Sequence, residues 1–348
     1  MFSTQKVQAS KPIIIIGNGL AGCVLAWTLT KQGTDVVIYG DKSINASRVA
    51  AGIINPIIGQ RFTLGEHVPN MLDFAKAFYQ KIEVELNIQC YHPTPMQRLF
   101  SSPKEQENIK KRLKLDRFTP FFTKNDISQQ LKPEHSGIVQ QQTAWLDTNV
   151  LLDALHHYFE QKNIISYQPY TPQSTPNIVV YCEGYHMMHN PLFSWLPLQP
   201  AHGEIISCTT KQVLAPDMIN QGKWLLPTTP NTCRVGATYD TALNTPTVRA
   251  SSKQQLLIFA NSLFKTNPKF KVIQHQAGIR PTTLDKQPFI GFHPKHQNTA
   301  IFNGFGSRGS LLIPWYSQRF TQSLRNRSAI PAEANIDRFC DKHHWHEP

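Results

Sequence analysis

Ile13-Ile14-Ile15-Ile16-Gly17-Asn18-Gly19-Leu20-Ala21-Gly22 begins the decisive stretch of this chain, and Val36-Val37-Ile38-Tyr39 ends it. Four branched apolar residues predict a buried strand. The G-x-G-x-x-G pattern predicts a tight turn into a helix, and the second apolar run predicts a second strand. Each glycine acts mechanically. Gly17 permits the turn, Gly19 lets backbone approach a pyrophosphate, and Gly22 lets helix and strand pack closely. Leu20 and Ala21 then start a helix whose first amides and dipole favour phosphate. The bland alternative is a glycine turn that binds nothing. The strand before it and the helix after it instead make a dinucleotide site, for FAD or NAD, the expectation.

Working outward, residues 47–56 form a second small-residue stretch, Ser47-Arg48-Val49-Ala50-Ala51-Gly52-Ile53-Ile54-Asn55-Pro56. The three-to-four spacing of Leu72, Phe74, Ala75, Phe78, Ile82 and Leu86 predicts a helix over 70–86. Strands are expected around 98–100 and 137–140, and a helix over 147–161 with Asp147 as its N-cap. Residues 166–176 read as a loop leading to a buried strand at 178–181, which ends in Cys182-Glu183-Gly184. Antiparallel strands are expected at 204–207, 224–226 and 234–238, then a helix over 251–264. A strand at 300–303 leads into Gly304-Phe305-Gly306-Ser307-Arg308-Gly309 and a final apolar helix. The nucleotide half therefore recurs in three pieces, with inserts that build a second domain.

The chain has 348 residues with 40% apolar content, enough for a large core and two domains. It contains no 18-residue apolar run, so no membrane span is expected. The polar first eleven residues lack the apolar core of a secretory signal. Six scattered cysteines without a C-x-x-C pair read as reduced thiols in a cytoplasmic protein, with no zinc framework and no metal expected. Thirty-five Lys and Arg against 23 Asp and Glu leave a net charge of +12, which favours anionic partners, nucleic acid included, or simply marks a basic surface. In the densest basic run, residues 110–117, the apolar positions are expected on one helix face with the cations outside.

Taken in order, the glycine turn, Ala50-Ala51-Gly52, Val179-Val180-Tyr181-Cys182-Glu183-Gly184, Pro200-Ala201-His202-Gly203-Glu204, Gly278-Ile279-Arg280-Pro281 with Asp285 and Pro288-Phe289-Ile290-Gly291, and the closing glycine-arginine-glycine turn resemble the D-amino-acid-oxidase and glycine-oxidase (DAO) family over roughly residues 12–325. Gly236-Ala237-Thr238-Tyr239 and Gly304–Gly309 look most like one branch, the FAD domain of the bifunctional tRNA enzyme that removes a carboxymethyl group from carboxymethylaminomethyl-uridine. The resemblance implies an α/β fold: a Rossmann-like FAD-binding domain of glutathione-reductase type with a second, mainly antiparallel α+β substrate domain. The expected division is 1–60, 143–196 and 276–330 for the FAD domain, 61–142 and 197–275 for the substrate domain, and 331–348 for a C-terminal tail.

The resemblance also implies noncovalent FAD and oxidation of a C–N bond, with hydride passing to flavin and the imine then hydrolysed. Arg280 matches the arginine that grips a substrate carboxylate; pairing with Asp285 or with a backbone carbonyl is the structural alternative. Arg308 matches a position that serves flavin or substrate. Ser47, Arg48, Ala50, Ala51 and Gly52 match the stretch beside flavin and pyrophosphate, and Gly184 a glycine against the nucleotide half. The backbone of Gly306, Ser307, Arg308, Gly309 and Ser310 is expected at the flavin's pyrimidine edge. Tyr239 and Trp224 are weaker candidates for a pocket wall, and His202 reads as structural.

Two departures stand out. Gly40 occupies the usual place of the ribose-binding acid, and Asp41 follows one residue late as the candidate ligand, with backbone or water as the alternative. Residues 162–177 are shorter than the family's excursion beside adenine, so no adenine contact is assigned there. Three functions follow: an oxidoreductase acting on a small carboxylate-bearing amine such as an N-alkylglycine, a tRNA-modifying oxidoreductase, or a non-catalytic FAD-bound binding protein.

Overall fold

The four-isoleucine run lies at the heart of a six-stranded sheet in the computed structural model, which describes residues 11–43, 45–123, 126–172 and 177–342. The polar start of the chain, the end of the 166–176 loop and the last six residues of the expected tail fall largely outside the described residues. In spatial order the strands are Ile165–Ser166, Val36–Tyr39, Ile13–Ile16, Val179–Tyr181, Thr299–Asn303 and Phe289–Phe292. All neighbours are parallel except the last pair, which is antiparallel. Central parallel strands are covered on both faces, which is why they read as unbroken apolar runs. Helices Leu20–Lys31, Thr148–Gln161 and Gly309–Asn326 share one core with this sheet. Helix Val68–Leu86 joins it, and its Tyr79 hydroxyl donates to Ser310 O at 2.8 Å.

The second sheet has eight strands, in the order Lys271–Arg280, Ala201–Thr209, Thr232–Gly236, Lys223–Thr229, Met218–Gln221, Met96–Leu99, Gly137–Gln140 and Phe122–Thr123. Its pairs are antiparallel apart from Met218–Gln221 with Met96–Leu99. Side chains alternate between faces. Ile206, Cys208, Leu225 and Val235 point back and pack under helix Ala250–Ser262 through Leu256 and Ala260. Gly203, Ile205, Arg234, Gly236, Gly278 and Arg280 therefore point forward. A small sheet of Ile53–Ile54, Ala144–Leu146 and Tyr91–Pro93 adds a third layer.

Three expectations change. The strand Lys271–Arg280 runs unbroken through residue 276, so the large sheet extends past the expected junction. Residues 331–342 are no free tail: Ala334 and Ile336 are fully buried, and Ile290 N donates to Ala334 O at 2.9 Å. Helix Pro103–Arg112 stops inside the basic run, and Leu113 and Leu115 are each 43% exposed instead of sharing a buried helix face.

Candidate active site

Gly17 has φ +110°, and a Cβ there would collide with Cys182 O, so the turn demands glycine both for its dihedral and for its neighbour. A Cβ on Gly22 would strike Gly17 O, which explains the close seat of the helix on the strand. Gly19 is the N-cap and offers no side-chain bond. Leu20 N donates to Ser47 Oγ at 3.1 Å, and Ala21 packs against the core. The helix that begins at Gly309 also lacks a side-chain cap, and Gly309 lies beside Leu20. Two uncapped helix starts thus lie together, with their partial positive charges adjacent.

Asn18 explains the missing acid. It is 5% exposed, and its Nδ2 donates to Asp41 O at 2.6 Å. A side chain at residue 40 would run into the Asn18 amide, so glycine is required there. The Asp41 carboxylate accepts from Ser43 N at 3.0 Å and from Ser43 Oγ at 2.6 Å and stands exposed. Arg48 turns its guanidinium to Asp153 and His156, so its side chain is already engaged with protein groups. Helix Ala46–Val49 is capped by Asn45, whose Oδ1 accepts from Ser47 N and Arg48 N. Gly52, at φ +67°, lies against Leu146 O with no room for a side chain. Gly184 O accepts from Asn303 Nδ2 at 2.9 Å, which ties the two strand ends together.

On the front of the large sheet, Gly203 and Gly278 are directly paired and Gly236 stands beside Ile205. What covers each glycine is specific. The Arg280 guanidinium lies over Gly203, Ala46 and Val49 cover Gly278, and the Trp224 indole covers Gly236. Arg280 Nη1 reaches His202 O and Thr238 O at 3.4 Å each. Burial draws the Arg280 and Arg308 guanidinium groups below the ordinary arginine pKa, with Tyr239 and Tyr316 respectively acting against that shift. Arginine stays charged in such surroundings. Among the described residues no carboxylate stands within ion-pair distance of either. Arg308 Nε is buried and unpartnered. Asp285, the alternative partner for Arg280, binds Arg338 instead at 2.8 Å.

Gly306 N donates to Pro281 O at 3.1 Å, which brings the closing turn next to Arg280. Ser307 is exposed and Ser310 buried. Tyr239 is 62% exposed near Arg280, whereas Trp224 is half-buried and packs against the buried Ala51, Met96 and Leu226. His202 is fully buried; its Nε2 is 2.8 Å from Thr247 O and its Nδ1 is buried without a hydrogen-bond partner. Sequence reasoning did not find Arg234 and Asn149, which bind the carbonyls of residues 48–50. A lone arginine in a strand and an asparagine in a helix's first turn carry no motif; only the tertiary fold brings them to that segment.

Residues 12–322 match the family described as FAD dependent oxidoreductase, DAO. The chain belongs to that family. FAD is accordingly its cofactor, and the residues fit it: two uncapped helix starts, a glycine turn open to close backbone approach, and a half-buried cation, Arg308, whose Nε is buried and unpartnered. This DAO chain is 24% identical over 91% of its length to the tRNA 5-methylaminomethyl-2-thiouridine biosynthesis bifunctional protein MnmC of Marinobacter nauticus, covering 56% of that protein. It is 28% identical to the glycine oxidase of Pseudomonas putida over 39% of this chain and 37% of that one. The chain thus spans little more than half of the first relative and aligns with a smaller part of the second. Its fold is that of glycine oxidase from Bacillus cereus, with a TM-score of 0.78 at 18% identity, covering 92% of this chain and 96% of the other. No helix among the described residues is long and apolar enough to cross a membrane.

Proposed function

We propose that this DAO-family chain oxidises the C–N bond of a small amine or amino acid that carries a carboxylate. The observation that supports it most is the pair of half-buried arginines, Arg280 and Arg308, without acidic partners among the described residues and beside an uncapped helix start, the Arg308 Nε itself being buried and unpartnered. Buried charge without a counter-ion is costly, so a site built this way awaits an anion. FAD, when bound, supplies the hydride acceptor. The chain's own part is orientation and electrostatics. The Arg280 fork holds both carboxylate oxygens, and Gly203 leaves the space for it to lie flat. The backbone of Gly306–Ser310 and the dipole of the last helix lie at the flavin's pyrimidine edge, where reduction leaves negative charge. Gly17, Gly19, Leu20, Ala21 and Gly22 serve the pyrophosphate, and Ser47 with Ala50–Gly52 lines the flavin. The substrate amine arrives neutral, so no dedicated side-chain base is needed. The imine formed is hydrolysed by water. The unpaired arginines also weigh against a non-catalytic FAD-bound role.

A second reading has specific support: a carboxymethylamino group on a tRNA uridine offers Arg280 the same carboxylate beside an amine. The +12 charge and the MnmC similarity favour it. Both readings need the carboxylate. Turnover of glycine and N-methylglycine, followed with an artificial dye acceptor, should exceed that of methylamine and dimethylamine at least tenfold if free amines are the substrates. Measurable turnover at equal rates with and without the carboxylate would remove the basis of both readings.

A further inference from the structure

Ala50, Ala51 and Gly52 are held from one side by a cation that the chemistry above does not use. Arg234 points forward from strand Thr232–Gly236; its Nη1 donates to Ala50 O at 2.9 Å and its Nη2 to Val49 O at 2.5 Å. Asn149 Nδ2 donates to Arg48 O at 3.1 Å. Three successive carbonyls at the end of helix Ala46–Val49 are thus taken by side chains. Burial lowers the Arg234 pKa, and the acid whose field opposes that shift is Asp147. The Asp147 carboxylate caps the next helix, accepting from Asn149 N at 3.1 Å and Val150 N at 3.2 Å. Among the described residues Arg234 has no ion-pair partner.

A neutral amide would brace those carbonyls without the desolvation cost of a guanidinium. What only the cation adds is charge. In a trans peptide the N–H points opposite to the C=O. The Ala50–Ala51 bond is trans, the cis bond among the described residues being Gly236–Ala237. With Ala50 O drawn to Arg234, the Ala51 N–H points to the opposite side of the segment, where no protein acceptor takes it among the described residues. A cation on the carbonyl polarises the amide and makes its N–H a stronger donor, as in any chain of hydrogen bonds in a low dielectric.

We propose that Arg234 is a positioning residue for the flavin: through the Ala50–Ala51 peptide it fixes and polarises the Ala51 N–H, which stabilises the reduced, negatively charged ring. The proposal rests on the reading that residues 47–52 line the flavin. The test compares FAD-loaded wild type with Arg234→Gln, which keeps a donor but not the charge, and Arg234→Lys, which keeps the charge. The readouts are sulfite binding to the flavin, which also leaves the ring negative, and the flavin's two-electron potential.

Arg234→Gln should weaken sulfite binding about tenfold and lower the potential by about 30 mV, the equivalent for a two-electron couple. Arg234→Lys should recover most of both. Wild-type sulfite affinity and potential in loaded Arg234→Gln would overturn the proposal, leaving Arg234 as a mere brace. If Arg234→Gln fails to load, Arg234→Lys decides, since loss of charge is then not involved: near-wild-type values support the proposal and a full drop in potential contradicts it. Ala51→Leu separates the two levels. Unchanged FAD affinity and flavin absorption in Ala51→Leu would refute the flavin-lining reading itself. A disturbed flavin there, with unchanged potentials in the Arg234 variants, would sink the Arg234 proposal alone.

Discussion

Arg280 shows how much one side chain depends on its neighbours. Its guanidinium lies over residue 203 only because that residue is glycine, and it touches the carbonyls of His202 and Thr238 while Asp285 pairs with Arg338. Arg280→Ala should leave FAD bound and weaken use of carboxylate substrates by about 2–5 kcal/mol, the usual loss when one partner of a buried charged pair is truncated. Unchanged kinetics with N-methylglycine would defeat that assignment. At this scale the sequence was legible wherever a residue sat in a motif, as Gly17, Gly19 and Arg280 do. It was silent where partnership is long-range. The bond from Arg234 to Ala50 O spans 184 positions, and the Asn18 contact that excludes an acid at residue 40 depends on how two strand ends are aligned.

Elements with a clear period were readable, and short ones were not. The helix expected over 70–86 is Val68–Leu86, and the one expected from Asp147 is Thr148–Gln161 with Asp147 as its cap. By contrast, Ile165–Ser166 and Met218–Gln221 are too short to show alternation, and they exist because a neighbouring strand offers its edge. The element on which cofactor binding turns is the helix opening at Gly19. Its N-cap, Gly19, brings no side chain to the first amides, so a branched side chain at residue 19 would block backbone approach while leaving most of the helix intact. Gly19→Val should purify folded but lose FAD; a yellow, fully loaded variant would refute this placement of the pyrophosphate. A second element, strand Phe289–Phe292, is followed by the 5% exposed His293. Burial first, and the adjacent His296 second, bring its imidazole from 6.5 down to about 4. An unfolded histidine takes its proton near pH ~6.5. The unfolded chain therefore binds the extra proton between these values, so stability is full above about 6.5 and falls as pH drops toward about 4. The thermal midpoint should fall across that window, and His293→Gln should flatten the slope; an identical slope in the variant would assign the loss to other groups.

For the whole molecule, the two sheets meet where Ala46 and Val49 cover Gly278 on the front of the large one, and the candidate site draws on distant parts of the chain. The two-part architecture was legible because an apolar strand followed by glycine recurs at three places along the sequence. The extension of the large sheet through residue 276 and the packing of residues 331–342 were not, because neither carries a local signal. The net charge of +12 belongs to this scale as well. If RNA is the substrate, phosphate contacts release counterions, and affinity for tRNA should fall more than about tenfold between 50 and 200 mM salt. Salt-insensitive or absent binding would remove the tRNA reading and leave the small amine.

The most direct test of the central claim is the visible spectrum of the FAD-loaded protein under anaerobic conditions, before and after adding glycine, N-methylglycine or tRNA bearing carboxymethylaminomethyl-uridine. The account predicts that one carboxylate-bearing amine bleaches the flavin band. It is contradicted if the band persists with every one of them, or if the purified protein stays colourless and cannot be reconstituted with FAD.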